Sequence, residues 1–525
     1  FNRNINTIMK KLPIGIQTFS EIIRQDCVYV DKTPFIHQMM TTGKVYFLSR
    51  PRRFGKSLTL STIAEIYSGS KNLFTGLWIE NNWNWDKIHP IIHISFNSLN
   101  YKDLGLEIVL KKELLKIGRK YELLLSETSS PELFEELIEK LAAAKGRVVI
   151  LIDEYDKPII DFLEAENLHI AKQNRAILRN FYSIIKNADP YIEFFLMTGV
   201  SKFSQTGIFS NLNHLNDITL NENYAALTGY TQDELEFYFD EWINRTLLKF
   251  KSISKETLLM HIKQWYNGYS WDAKTRVYNP YSVLLFFDNR AFENYWFATG
   301  TPTFLINLIK EKKQFNFNQI TASGALLDSY EPDDLDIRTL LFQTGYLTIK
   351  HIDIFNGIYT LDYPNREVEQ SMTNYLIATL LNRSALDSPV PVFDVKSAFY
   401  QDNIERVIRI INSLLKDVPA LLINPKNEHF YHSLVHLHFR YLGLLMDSEV
   451  HTSDGRMDAV VKTDTHIYIL EFKIDQSADI ALNQIKNKLY YQKYATENKI
   501  VVGIGINFDT EKRAVGNYLT EILIQ

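Results

Sequence analysis

The stretch Leu48-Ser-Arg-Pro-Arg-Arg-Phe-Gly-Lys-Ser57 lies between an apolar run, Val45-Tyr-Phe-Leu48, and a helix-like segment from Leu58 to Glu65. A strand that turns through Gly-Lys-Ser into a helix is a setting in which backbone N–H groups hold phosphates, because the helix start carries partial positive charge. Here Arg53, Phe54 and Gly55 shape the turn, and Gly55 lets the backbone approach the ligand. Lys56 neutralises the outer phosphates and Ser57 offers its hydroxyl to Mg2+. The pattern has one defect: Arg50 stands where the first glycine of GxxxxGK[ST] belongs. Taken alone, Arg50, Arg52, Arg53 and Lys56 read equally well as a solvated basic turn.

A second stretch decides between the two. Val148-Val-Ile-Leu-Ile-Asp153-Glu154 is an apolar strand ending in two acids, 97 residues beyond Lys56. Asp153 would hold Mg2+ through water and Glu154 would orient and polarise an attacking water, the division of labour of ATP hydrolysis. The bland alternative is a helix N-cap. A third run, Phe194-Phe-Leu-Met-Thr198, ends in a hydroxyl placed to sense a γ-phosphate, or equally in a strand-end turn residue. Arg175 and Arg179 follow on a helix, but helix arginines are commonly solvated, and no arginine finger is assigned.

Around these motifs, strand-like runs at 45–48, 91–96, 148–152 and 192–197 alternate with helical segments between Lys44 and about Leu220, the pattern of a parallel sheet. Within Pro131 to Leu141, Leu133, Phe134, Leu137, Ile138 and Leu141 form one apolar stripe. From about Thr231 to Lys416 the pattern is mostly helical, broken at Asn267-Gly268 and Asn279-Pro280. Runs from Gly345 to His351 and Gly357 to Leu361 suggest a hairpin after a helix, as in a winged-helix module. The last hundred or so residues switch to a second α/β unit, with a helix at about 428–445, strands near Ala459 and Tyr468, a helix at about 478–494 and a strand at 500–506. The expected domains are 1–225, 226–415 and 416–525.

Composition excludes several classes. The 525 residues are 46% hydrophobic and 23% charged, which rules out a mostly disordered or collagen-like chain. Lys and Arg total 57 against 62 acids, so a net charge of -5 gives no global sign of nucleic acid or an anionic membrane. The single cysteine, Cys27, is read as a buried thiol; it makes no intramolecular disulfide and fits a reducing compartment. No run approaches the roughly 18 apolar residues of a membrane helix, so a cytoplasmic protein without a membrane partner is expected.

Near the C-terminus, Asp458 and Glu471 flank a tight turn centred between Asp464 and Thr465. Antiparallel pairing about that centre sets Asp458 opposite Glu471, and Lys473 projects from the same face as Glu471. Two opposed carboxylates repel unless a cation sits between them, so the pair reads as a site for Mg2+ or Mn2+. Lys473 can lower the pKa of a metal-bound water or stabilise charge on a phosphate. The alternative is chance alternation of charge on an exposed strand. Downstream, Gln484 and Lys488 share a helix face at i, i+4, either touching a phosphate backbone or forming a polar surface. Glu428 is a further candidate acid, whereas Tyr431, His432, His436 and His438 assemble no zinc set. From Leu421 onward 11 basic residues face 13 acids, so DNA contacts would need a local strip such as Arg456, Lys473, Lys486 and Lys488.

The ordered set Leu12-Pro-Ile-Gly-Ile16, Tyr29-Val-Asp-Lys-Thr33, Arg52-Arg-Phe-Gly-Lys-Ser57, Leu151-Ile-Asp-Glu-Tyr-Asp156, Tyr266-Asn-Gly-Tyr269, Thr344-Gly-Tyr-Leu347 and Gly455-Arg-Met-Asp458 with Glu471-Phe-Lys473 spans nearly the whole chain. It resembles bacterial AAA-ATPase-like proteins fused to a PD-(D/E)XK nuclease-superfamily domain. The resemblance implies an α/β fold class: an N-terminal STAND-like P-loop NTPase parallel sheet, a helical and winged-helix-like middle, and a C-terminal restriction-endonuclease-like domain. It also implies that Lys56 and Ser57 bind phosphate and magnesium, that Asp153 and Glu154 serve hydrolysis, and that Asp458, Glu471 and Lys473 form a nuclease core. The expected function is an ATP-regulated, Mg2+-dependent DNA nuclease in defence or mobile-element biology, with RNA as a possible substrate and a homo-oligomer as a possible state. The alternative is a STAND-type signalling or scaffold ATPase whose C-terminal domain binds a partner or nucleic acid without cutting. No helicase motif or pore-loop signature supports a translocase.

Overall fold

Runs of β-branched and aromatic side chains, buried on both faces except in the edge strand with His93 exposed, build the first sheet. In the computed structural model, which describes residues 9–202, 214–297, 305, 308–309, 317, 320–327, 336–380, 395, 397–416, 450–453, 456–509, 511–512 and 514–525, these runs are β1 (Val45–Ser49), β2 (Ile91–Ser95), β3 (Val148–Asp153) and β4 (Ile192–Gly199), joined by the short β5 (Asn216–Asp217). All are parallel, in the order β2-β3-β4-β1-β5. Every residue of β1 and β3 is buried, as parallel strands require when both sheet faces are covered.

Helices α1 (Phe19–Arg24) and α2 (Thr33–Thr42) precede the sheet, and α3 (Lys56–Tyr67) leaves β1. Helices α4 (Leu106–Lys120) and α5 (Ser130–Lys145) connect β2 to β3, and α6 (Leu168–Ser183) connects β3 to β4. The stripe read from the sequence is the buried face of α5: Leu133, Phe134, Leu137, Ile138 and Leu141 are at most 2% exposed. At about 1.5–3 kcal/mol for each fully buried large apolar side chain, this face outweighs the order of 1 kcal/mol supplied by the Ser129 cap on the Glu132 N–H. The strand order sets β4 between β1 and β3, so the C-terminal ends of these three strands lie side by side, where open α/β sheets carry their ligands.

The chain divides into two compact units, Phe1–Leu305 with Phe317–Val368, and Ile306–Asn316 with Glu369–Gln525. The helical region up to Val368 thus belongs to the same unit as the parallel sheet. Its helices α7 (Gln232–Tyr238), α8 (Asp240–Lys249), α9 (Lys255–Tyr266) and α10 (Pro280–Asn289) bury Leu235, Phe239, Ile243, Leu258, Ile262 and Phe287 together. Both breaks have a cause. Gly268 has φ 109°, and an added Cβ would lie 2.1 Å from the Pro364 carbonyl oxygen. Asn279 caps α10, accepting from the Tyr281 and Ser282 N–H groups, with Pro280 in the first turn. The expected hairpin follows helix α11 (Ile337–Thr344): β7 (Thr348–Asp353) pairs with β8 (Ile358–Asp362), and β6 (Ile320–Ser323) adds a third antiparallel strand.

The second unit carries a mixed sheet in the order β13-β12-β11-β10-β9, from β9 (Val450–Ser453), β10 (Arg456–Lys462), β11 (His466–Ile474), β12 (Ile500–Asp509) and β13 (Ala514–Ile524). Strands β11 and β12 are parallel; the other neighbours are antiparallel. Helix α12 (Ile404–Lys416) meets β13 where Asn412 Oδ1 accepts from the Val515 N–H at 2.6 Å. The crossover from β11 to β12 is α13, Ala478–Asn487, shorter than the expected 478–494. Lys488 caps it, Leu489 turns left-handed at φ 54°, and Gln492–Tyr494 is a separate single turn. Strand β13 was not read from the sequence because its side chains are mostly exposed and present no buried run. The helix expected at 428–445 lies outside the described residues. Cys27 is buried, as expected, and no helix among the described residues is long and apolar enough to cross a membrane.

Candidate functional site

The phosphate loop leaves β1 through two left-handed residues, Arg53 at φ 68° and Gly55 at φ 88°. Space is open around Gly55, so it is the backbone conformation rather than crowding that calls for glycine. Phe54 is buried, Arg52 and Arg53 are exposed, and α3 starts at Lys56. Arg50 and Lys56 are buried, so of the four basic residues only Arg52 and Arg53 are placed as a solvated basic turn would place them. The Lys56 Nζ donates to the carbonyl oxygens of Arg50 and Pro51, both at 2.9 Å. Burial pulls the Lys56 pKa down, while Asp153, Glu154 and Asp156 oppose that shift.

At the end of β3, Asp153 has both oxygens occupied. Oδ2 accepts from Ser57 Oγ at 2.6 Å and Oδ1 from Thr198 Oγ1 at 2.8 Å. Thr198 is wholly buried on β4, behind Asp153, and does not line the cleft. Glu154 does line it, holds φ 53°, and has its pKa raised first by burial and then by Asp153. A raised pKa makes a carboxylate a stronger base once it is ionised. In the sequence Asp156 stands only within a motif, with no role of its own. It is buried, accepts from the Val200 N–H at 2.9 Å and the Ser201 N–H at 2.6 Å, and has its pKa raised to about 6 by burial.

The cleft, lined by Glu154 and Asp156 but not by Asp153, has a volume of about 390 Å3. Arg52, Arg53, Lys56 and Ser57 line one part; Pro13, Ile16, Tyr230, Pro280, Tyr281 and Leu284 also line it and are apolar or aromatic. The Arg53 guanidinium lies 4.8 Å from the Tyr281 ring centroid. This combination accepts a ligand with an anionic end and a flat apolar end. Nothing in the strand periodicity pointed to residues 13–16 or 280–284, which long-range packing brings together. Neither Arg175 nor Arg179 lines the cleft.

In the second unit, the register pairs Asp458 with Glu471, as the turn centre predicts. The Thr463 N–H to His466 carbonyl bond, at 2.9 Å, closes that turn. Glu471 is fully buried; Oε1 accepts from Lys473 Nζ at 2.8 Å, and Oε2 has no hydrogen-bond partner among the described residues. Across β12, Glu471 faces Gly505, where an added Cβ would come 2.3 Å from the Ala478 carbonyl oxygen. That glycine lets α13 lie close against the face of the sheet to which Glu471 belongs. Gln484 stays within α13, with its Nε2 buried and lacking a partner among the described residues. Lys488 lies just past the helix end, exposed, with its Nζ 5.6 Å from the Tyr490 ring centroid. Of the basic strip, Lys473 is paired with Glu471 and Lys486 with Glu521 at 2.9 Å; the side chain of Arg456 and all of Glu428, Tyr431, His432, His436 and His438 lie outside what is described.

Hard oxygen donors suit Mg2+ or Mn2+ at both places: Ser57 with Asp153, and Glu471 with Asp458 opposite. The orphaned Glu471 oxygen is the feature that fits a cation most directly, since a buried polar oxygen left without a hydrogen bond is costly. No cluster of three or more His, Cys, Asp or Glu side chains occurs among the described residues, and the Asp458 side chain is not among them.

Comparison with known proteins agrees with this division. Residues 13–209 match the family described as predicted AAA-ATPase, and residues 426–518 match the PD-(D/E)XK nuclease superfamily. The chain is 38% identical over 532 residues to an uncharacterized protein in the vnfD 5' region of Azotobacter chroococcum mcd 1, covering 98% of this chain and 99% of that protein. No solved structure matches. The chain belongs to the family of predicted AAA-ATPases that carry a PD-(D/E)XK nuclease superfamily domain at the C-terminus.

Proposed function

We propose that this protein is an ATP-regulated, Mg2+-dependent DNA nuclease, acting in defence against foreign DNA or in mobile-element biology. The observation that carries the proposal is Glu471: a fully buried carboxylate, fixed by Lys473 on one oxygen, orphaned on the other and in register with Asp458. Asp458 and Glu471 hold the metal, which supplies Lewis-acid activation of water and phosphate. Lys473 stabilises charge on the scissile phosphate, and Gln484 with Lys488 contacts the nucleic-acid backbone. The single buried cysteine accords with a cytoplasmic place of action.

In the first unit, ATP takes the cleft with its phosphates on the turn Arg53 to Ser57. Ser57 and Asp153 hold Mg2+, Thr198 orients Asp153, and Glu154 accepts a proton from the attacking water. The working division is residues 1–225 for ATP, 226–415 for coupling and 416–525 for cleavage. A signalling or scaffold ATPase is the second reading, favoured by the direct packing of Trp296 Nε1 on the Arg52 carbonyl oxygen at 3.1 Å, which ties the nucleotide loop to the helical region.

Purified wild type, Lys56→Ala and Lys473→Ala, incubated with labelled single- and double-stranded DNA and RNA with and without Mg2+ and ATP, test both halves. Cleavage that needs Mg2+ and Lys473, and that changes with ATP or Lys56, is the expected result. ATP binding with no cleavage of any substrate in any lane overturns the nuclease and leaves the signalling reading.

A further inference from the structure

The side chain of Arg50 turns away from the cleft into the protein. It is wholly buried; Nη1 donates to the Ser49 and Thr219 carbonyl oxygens, both at 2.8 Å, and Nη2 to that of Tyr224 at 3.3 Å. Its guanidinium lies 4.0 Å from the Trp271 ring centroid. Carbonyl oxygens and an aromatic face hold this cation, with Asp217 and Asp272 contributing at longer range against a burial that pulls its pKa to about 9. A glycine, the usual residue at this place, would make none of these contacts.

The backbone of Arg50 connects this anchor to Lys56. Its N–H donates to the Gly199 carbonyl oxygen at 3.1 Å, and its own carbonyl is one of the two that hold Lys56 Nζ. The loop beyond it is seated on the same region of the first unit. Pro51 packs on Gly345, where an added Cβ would come 2.7 Å from the proline ring. Trp296 donates to the Arg52 carbonyl, and the Phe54 ring centroid lies 4.8 Å from that of Tyr269 and 5.5 Å from that of Trp271. Positions 50, 51, 52 and 54 all touch the helical region or the segment that leads into its hairpin.

We infer that Arg50 is the positioning residue of the phosphate loop: anchored on Trp271, it fixes the carbonyl groups that hold Lys56 and makes the transfer of Lys56 to phosphate depend on the helical region. The inference rests on the reading of the cleft as an ATP site. Binding moves Lys56 Nζ from two carbonyl oxygens to phosphate oxygens while the loop stays in place. A loosened anchor lets the loop sample other conformations, and ATP must then order it. Asp153 ends β3 and Glu154 follows directly after it, so neither stands on this loop and the chemical step, once ATP is bound, is untouched.

The test uses the full chain as wild type, Arg50→Lys, Trp271→Leu, Trp271→Phe and the double variant Arg50→Lys/Trp271→Leu, with ATP binding and steady-state hydrolysis measured on each. Arg50→Lys and Trp271→Leu are each expected to raise KM and the ATP Kd about tenfold with kcat within about twofold, because a lysine lacks the planar fork and a leucine lacks the aromatic face. Trp271→Phe restores KM to within about threefold, and the double variant is no worse than the worse single one, since both cut the same link. An unmoved KM in either single variant, additive losses in the double one, or no difference between Trp271→Phe and Trp271→Leu overturns the inference. If Arg50→Lys fails to fold by circular dichroism, the Trp271 pair decides alone; a parallel fall of kcat and folded fraction in both would mark the contact as structural only and also overturn it. Wild type that neither binds nor hydrolyses ATP would instead overturn the ATP reading itself.

Discussion

Asp153 and Glu471 are both buried carboxylates at the ends or middles of central strands, yet they are satisfied in opposite ways. Asp153 has a protein hydroxyl on each oxygen, Ser57 and Thr198. Glu471 has Lys473 on one oxygen and nothing on the other among the described residues. The first site stands complete on protein donors, and Mg2+ would have to compete with the Ser57 hydroxyl for Asp153. The second leaves one buried carboxylate oxygen unmet, a demand that a cation would relieve, opposite a second acid in the register. A site of the first kind is satisfied by protein donors alone; a site of the second kind would gain more from a bound cation.

The sharpest way to break this comparison is Glu471→Gln. Metal-assisted phosphodiester cleavage draws several kcal/mol from the metal, so loss of its buried ligand is expected to lower cleavage by about a thousandfold or more. The same change removes an incompletely satisfied buried charge, so the metal-free Tm is expected to stay level or rise, and the Mg2+-induced rise in Tm to vanish. A variant that melts well below wild type without metal would show that Glu471 is already satisfied, and the contrast with Asp153 would fail.

Lys56→Ala probes the other side. Removing one preorganised phosphate-stabilising group costs about a hundredfold to a thousandfold in rate, and hydrolysis should fall by that amount with the fold intact. Calorimetry and a phosphate-release assay check it; hydrolysis within a few-fold of wild type would move the site elsewhere. On the nuclease side, Gly505→Ala places a Cβ 2.3 Å from the Ala478 carbonyl oxygen and 2.6 Å from the Leu482 nitrogen, both backbone atoms of α13. The helix must shift, at a cost of about 3 kcal/mol, the upper end of overpacking penalties. A denaturant midpoint unchanged in Gly505→Ala would mean that α13 does not press on the strand that backs Glu471.

Much of both sites was legible because it depended on local pattern. The strands of the parallel sheet are continuous apolar runs, and the Asp458–Glu471 register follows from a single turn position. What was not legible depended on distant partners or on backbone conformation. Arg50 looks from sequence like a defect in a basic loop, and only Trp271, Thr219 and Tyr224, brought in from far along the chain, show where its side chain goes. Thr198 reads equally as a γ-phosphate sensor or a strand-end turn residue, and its bond to Asp153 Oδ1 depends on a partner from another strand. The early end of α13 turns on the left-handed Leu489, a residue whose helix propensity gives no warning. Asp156 carries no signal beyond its motif, since its two amide donors both come from just past the end of β4.

Asp156 also offers the finest test of the contrast, because it shows what protein donors do for a buried acid near the phosphate loop. Two amide N–H bonds hold its pKa down, but burial prevails and lifts it from 3.8 to about 6. The folded state therefore binds a proton more tightly than the unfolded state between about pH 4 and pH 6, and stability falls as pH rises through that window. The stabilising contribution is fully present below the unfolded pKa and lost once pH passes the folded one. Taken at face value the shift corresponds to on the order of 2–3 kcal/mol between the two ends, with smaller values expected after structural relaxation. Asp156→Asn keeps an acceptor for the Val200 and Ser201 amides and removes the charge. Its stability relative to wild type is expected to grow from pH 4 to pH 7 and then stay level, read from denaturant midpoints in matched buffers. A constant difference across that range would mean that Asp156 is ionised throughout and as well satisfied as Asp153, so that backbone amides and hydroxyl donors serve this end of the sheet equally.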